Sequence, residues 1–120
     1  MKTPSEGALL RIFIGESDRL EGKPLYEAIV LRARELHLAG ATVLRGIMGF
    51  GKNSRIHTSH LLDLSTDLPV VIEIVDTEDK IEAFMPEVDR LVSEGLVTLE
   101  KVSVIKYVAP PKAEDRAKKT

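Results

Sequence analysis

The sequence predicts an α+β fold in which an antiparallel sheet carries two helices on one face. Three observations point there: strand-like apolar segments at residues 8–14 and 70–76, two amphipathic helical stripes, and the alternation of these elements along the chain.

Residues 8–14 place Leu10, Ile12 and Ile14 on one side and Leu9, Arg11 and Phe13 on the other, the two-residue period of a first strand. A polar loop over residues 15–23 leads to Pro24, suited to a first helical position because it has no N–H to satisfy. Leu25, Ala28, Ile29, Ala33 and Leu36 then share one helical stripe, closed by Gly40. Residues 41–48 alternate again as a second strand, and residues 49–59, rich in Gly, Ser, Thr and Asn, read as a long loop. Leu62 and Leu64 hint at a strand beginning, followed by "VVIEIVD" at residues 70–76; one bent strand or two are both compatible with this pattern. Thr77 is a candidate N-cap, with Glu78 and Asp79 in the first turn where carboxylates suit the helix dipole. Ile81, Phe84, Met85, Val88, Leu91 and Val92 form the second stripe, ended by Gly95, with Pro86 expected to kink it. Residues 96–108 make the last strand, in which Val102 and Val104 share a phase that Ile105 and Tyr107 oppose, predicting a bulge or a change of burial. The order is βαββαβ, a ferredoxin-like plait. Residues 1–7 are expected to be flexible, 8–108 to form one domain, and 109–120, with two prolines and many charges, to be a disordered tail.

Composition narrows the function classes. With 120 residues, 43% of them hydrophobic, the chain suits one domain with its own core. The 17 Lys+Arg against 19 Asp+Glu give a formal charge of -2, which argues against a broad nucleic-acid surface. There is no cysteine, and so no disulfide scaffold, thiolate metal site or Cys nucleophile. No stretch reads as a signal peptide or a membrane span, so a cytoplasmic protein that is not membrane-inserted is expected.

Two helices cover one sheet face only, yet apolar residues occupy both: Leu9 and Phe13 oppose Leu10 and Ile12, and Val71 and Val75 oppose Ile72 and Ile74. The open face is therefore expected to be an assembly surface. With the third strand between the first and second, Arg11, Glu73 and Arg45 are expected to form a lateral ionic row within or between subunits; separate charges at a wet edge are the alternative.

The stretch "GIMGFGK" at residues 46–52 has P-loop spacing, Gly46 to Gly51 and Lys52. A P-loop requires Ser or Thr after the lysine at the start of a helix, and here Asn53 follows with no helical stripe. Gly46, Gly49 and Gly51 with Lys52, Arg55, His57 and His60 remain a candidate anion site, because glycines bare backbone amides, and a solvated hairpin of ordinary loop residues is the alternative. His57 and His60, with Asp63, are the candidates for a metal site, although an i,i+3 pair points to opposite faces of a strand. Ser54, Thr58 and Ser59 lie near the histidines, but nothing fixes nucleophile, base and orienting acid together, so no enzyme is expected. Lys101 and Lys106 on the last strand face either solvent or a cleft between subunits.

"TVLRGIMGFGKNSRIHTSH" with "LPVVIEIVD" and "GLVTLEKVSVIKY" resembles domain-of-unknown-function family one-ninety, a branch of the PII-like signalling proteins, over about residues 7–108. Arg45-Gly46 followed by Gly49-Phe50-Gly51 is the most specific element. The resemblance implies a homotrimer, ligand sites in clefts between subunits, and a loop, here residues 48–60, that engages a partner, for which a membrane transporter such as a fluoride-export channel is the candidate; in PII proteins adenine nucleotides control that loop, but the nucleotide signature is not carried over whole. The glycine- and lysine-rich loop of PII proteins is reduced here to Ser93-Glu94-Gly95. Their paired arginines after it are absent, with Lys106 nearby instead, and no modifiable tyrosine lies in the long loop. The sequence thus predicts a PII-like trimeric regulator binding a small anionic ligand through Arg45, Gly46, Gly49, Phe50, Gly51 and Lys52, with Arg55, His57, Lys101 and Lys106. A divalent-metal trimer similar to the CutA proteins and a structural assembly module are the alternatives.

Overall fold

The computed structural model describes residues 5–51, 56–58 and 67–108. Alternation in the sequence becomes two distinct faces in β1 (Ser5–Gly15), which buries Ala8, Leu10, Ile12 and Ile14 and leaves Leu9, Arg11 and Phe13 half-buried. The polar loop expected next contains a small hairpin, β2 (Arg19–Leu20) and β3 (Lys23–Pro24), too short to carry an apolar pattern. Its turn uses Glu21 and Gly22 at φ 51° and 82°, the positive pair that tight hairpins demand.

Pro24 precedes α1 (Leu25–Glu35) in an extended conformation rather than opening it. The helix ends at Glu35, short of Gly40, because His37 takes φ 60° and the Leu38 N–H returns to the Ala33 carbonyl. The second strand is β4 (Thr42–Arg45) alone. The chain then leaves the sheet, and β5 (Met48–Gly49) pairs instead with β6 (His57–Thr58), so the predicted strand over 41–48 is really two. The strand start expected at Leu62 and Leu64 lies outside the described residues.

β7 (Pro69–Asp76) leads to Thr77, whose Oγ1 accepts the Lys80 N–H at 3.3 Å and caps α2 (Glu78–Leu91) as predicted. Ile81, Phe84, Val88 and Leu91 form its buried stripe. The helix runs on through Pro86, which sits on the exposed side, where the carbonyl losing its partner can be hydrated. Gly95 then turns at φ 146°, where a Cβ would lie 2.5 Å from the Phe13 carbonyl oxygen. β8 (Leu96–Val104) ends before Ile105 and Tyr107, so their opposite phase marks the strand's end and not a bulge.

The main sheet is antiparallel with the order β4-β7-β1-β8, the ferredoxin-like arrangement with the third long strand beside the first. Its core lies between the sheet and both helices, where Leu10, Ile12, Ile29, Ile72, Ile81 and Phe84 are almost fully buried. Each such side chain contributes about 1.5–3 kcal/mol by leaving water. Outside that core charge also joins the helices: Arg32 Nη2 of α1 donates to Glu87 Oε1 of α2 at 3.0 Å, while within α2 Arg90 Nη2 donates to Glu87 Oε2 at 2.7 Å.

Candidate functional site

The face not covered by helices is organised in lateral rows. One row is wholly apolar, Leu44, Val71, Phe13 and Leu96, running across all four strands by their pairing register. The next is polar: Thr42, Glu73, Arg11 and Thr98. Arg11 Nε donates to Glu73 Oε2 and its Nη1 to Glu100 Oε1, both at 2.8 Å. The hydrogen bond to Glu73, reinforced by Glu100 against the cost of desolvation, raises the Arg11 guanidinium above its ordinary value, so it stays cationic.

The ionic row therefore exists with a different third member. Arg45 pairs with Val70, three places along β4 from the Thr42 that faces Glu73, and its Nη2 donates to Glu16 Oε1 at 2.6 Å. Glu100, on β8, supplies the second ion pair of Arg11 instead. Sequence reasoning missed Glu100 because its place beside Arg11 depends on the β1–β8 register; its alternation with Thr98 and Leu96 was the available signal.

At the base of the long loop, close packing accounts for two of the glycines. The Gly46 N–H donates to the Pro69 carbonyl at 2.7 Å. A Cβ at Gly46 would lie 2.8 Å from Pro69 Cγ, and one at Gly49 3.0 Å, whereas Gly51 has open space around it. The Gly46 amide is thus already committed and does not face an anion. Ile47, Met48 and Phe50 are strongly exposed, Phe50 at 71%. His57 enters β6 opposite Gly49, while Lys52, Arg55, His60 and Asp63 lie outside the described residues. Lys101 points away from the open face, 3.9 Å from Glu78, and Lys106 is exposed beyond the end of β8.

One chain therefore gathers Arg45, Gly46, Gly49 and Phe50 at the β4 edge and places Lys101 on the opposite edge, with Lys106 in the segment after β8 whose Tyr107 reaches Ala39. Three interstrand gaps at about 4.8 Å each separate those edges by roughly 14 Å.

The other end of the open face holds a groove of about 630 Å³, floored by Leu9 and Val75 and walled by Tyr107. Its Asp76, the last residue of β7, is structural: Oδ2 accepts the Ala39 N–H at 2.9 Å and Oδ1 the Thr77 N–H at 2.7 Å. Among the described residues, no three His, Asp or Glu side chains are placed to hold a metal ion, and no helix is long and apolar enough to cross a membrane.

Residues 7–104 match the family profile DUF190, described as Uncharacterized ACR. The chain belongs to the DUF190 family. A UPF0166 protein of Aquifex aeolicus is 48% identical over 97 residues, 81% of this DUF190 chain and 91% of the relative. Among solved structures, a PII-like signaling protein from Thermus thermophilus is similar with a TM-score of 0.62 at 14% identity, covering 87% of this chain and 94% of that one. CPII from Thiomonas intermedia, bound to ADP and bicarbonate, has a TM-score of 0.58 at 18% identity, with 86% and 92% coverage. The divalent ion tolerance protein CutA1 of Ehrlichia chaffeensis shares the fold too, at TM-score 0.55, 11% identity and 85% and 84% coverage. The DUF190 chain thus has the fold of PII-like proteins, a fold shared by the ADP-bound CPII and by the divalent ion tolerance protein CutA1.

Proposed function

We propose that this chain is a non-catalytic PII-like regulator that assembles as a homotrimer and binds a small anionic ligand, an adenine nucleotide, in clefts between subunits. The observation that carries this reading is the separation of the candidate residues. Arg45, Gly49 and Phe50 at one sheet edge and Lys101 on β8 at the other are two half-sites that meet only when a second copy is laid alongside, with Lys106 in the segment that follows β8. The apolar row on the open face supplies a surface for such assembly, since Leu44 and Leu96 are 49% and 56% exposed in the single chain. The bound ADP of CPII, on the same fold, gives the ligand class.

In this reading the ligand competes with Glu16 for the exposed Arg45 guanidinium, 2.6 Å from that carboxylate. Freed or tethered, Arg45 changes the exit of the loop over residues 48–60, which engages a partner such as a membrane transporter. The ligand acts only through its preference for one loop arrangement over the other. The CutA1 likeness favours one rival, a trimer binding divalent ions through His57 and His60.

Thermal unfolding with ADP, AMP, Zn²⁺ or Cu²⁺, alongside sedimentation equilibrium, tests these readings. A ligand at about 100 times its Kd adds roughly 2.7 kcal/mol to stability. Stabilisation by ADP or AMP that is weakened in Arg45→Ala, on a species of trimer mass, supports the nucleotide reading. Stabilisation by metal alone, lost in His57→Ala, supports the rival. No response from a trimer would leave a structural assembly module.

A further inference from the structure

The groove at the far end of the open face has its own geometry, distinct from the apolar row proposed for assembly. β8 lies on one edge of the sheet and residues 39–41 precede β4 on the other, yet the Tyr107 hydroxyl donates to the Ala39 carbonyl at 2.5 Å. Residues 105–107 therefore cross the end of the sheet as a strap, and the groove lies between that strap and the sheet. Its lining carries three carboxylates, Glu6, Glu73 and Asp76, against the single guanidinium of Arg11. Those charges stand around an apolar floor of Leu9 and Val75. A groove of this chemistry fits an extended basic segment with aliphatic stems, whose methylenes cover the floor while the charges meet the rim.

The chain itself continues with such a segment. Residues 109–120 read "APPKAEDRAKKT", with Lys112, Arg116, Lys118 and Lys119 against Glu114 and Asp115. It begins at Ala109, two positions along the chain from the Tyr107 that walls the groove. Twelve residues reach about 40 Å when extended, more than the groove requires. We infer that residues 109–120 dock in this groove of their own chain, as a basic strap continuing the crossing made by residues 105–107. The docked tail neutralises the excess negative charge of the rim and covers Leu9 and Val75. It leaves the row of Leu44, Val71, Phe13 and Leu96 to assembly.

The lack of cysteine makes a clean test possible, because Lys118→Cys gives one labelling site for a nitroxide in the full chain. Paramagnetic broadening is then read on ¹⁵N-resolved amide signals. Selective loss of the Thr42, Glu73 and Asp76 signals, reversed in about 1 M salt where screening falls to roughly 3 Å, supports docking. Mixing spin-labelled ¹⁴N chain with unlabelled ¹⁵N chain identifies the groove used. Absence of broadening in the mixture supports docking in the same chain, and broadening of those signals there overturns it. Uniform or absent broadening in the singly labelled chain, or local loss that persists at high salt, also overturns the proposal. None of these outcomes depends on nucleotide binding or on trimer mass.

Discussion

Gly46 is a position where the structure makes a quantitative claim. Its backbone φ is not in the left-handed region, so an alanine there is free of conformational penalty. The obstacle is one atom: the new Cβ would stand 2.8 Å from Pro69 Cγ, against an optimum of about 3.5–4.0 Å for two carbons. Pro69 can displace that atom only by the small shift of a ring pucker, because its ring is closed on a backbone that opens β7 and pairs with both Gly15 and, through its carbonyl, the Gly46 N–H. Relief must come from a backbone shift near the Gly46–Pro69 hydrogen bond, and overpacking of this kind costs about 1–3 kcal/mol. For a domain of this size that is a fall in Tm of roughly 4–8 °C per kcal/mol. The assay is a double-mutant cycle of Gly46→Ala and Pro69→Ala by urea unfolding. Pro69→Ala removes the obstructing carbon, so Gly46→Ala should be nearly neutral in that background, with a coupling of about 1–3 kcal/mol between the sites. If Gly46→Ala costs the same with and without the proline ring, the steric account of this glycine is wrong.

Gly95→Ala is a contrasting case, combining φ 146° with a Cβ 2.5 Å from the Phe13 carbonyl oxygen. A loss of at least about 1–3 kcal/mol is expected in chemical unfolding, with no rescue from trimming a side chain, because the obstacle is backbone. Leu96→Asp, at a residue 56% exposed in the single chain, should leave monomer stability within about 0.5 kcal/mol and abolish assembly in sedimentation velocity. Retention of the assembled mass would remove the apolar row from the interface. Hydrogen bonds from Arg32 and then Arg90 lower the Glu87 carboxyl from 4.5 to about 2. Since the folded value is the depressed one, the stabilisation is fully present above 4.5 and is lost as pH falls through about 2. The difference in Tm between the wild type and Glu87→Gln should therefore be constant at neutral pH and shrink across that window. A pH-independent difference would deny Glu87 its ionic role.

The parts of this fold legible in the sequence are those in which one local pattern determines one face. β1 and β7 alternate cleanly because a single face of each is fully buried, and α2 carries both its cap at Thr77 and its stripe. The misreadings share a physical cause, namely contacts between distant residues. Alternation over residues 41–48 continues smoothly past the point where Gly46 meets Pro69 and the chain leaves the sheet, so the pattern alone overran the strand. His37 rather than a glycine takes the left-handed turn after α1, which local preference would have assigned to Gly40. For the site, the loop-base residues Arg45, Gly46 and Gly49 were found by motif. Pairing Arg45 with Glu73 failed because a register offset of three is not written in either strand. The groove and the crossing made by Tyr107 were invisible for the same reason: Ala39 is 68 positions away.

The clasp between Gly46 and Pro69 also has a bearing on engineering. It is backed by the Glu16 N–H on the Leu68 carbonyl at 2.8 Å and the Ser17 N–H on the Asp67 carboxylate at 2.7 Å, so both ends of the intervening chain are anchored to the scaffold. A segment whose termini are fastened together can change length at little expense, about 0.6 kcal/mol for each doubling. The clasp thus fixes where the chain leaves β4 and rejoins β7, so a change of length between Phe50 and Asp67 is expected to leave the register of those two strands intact.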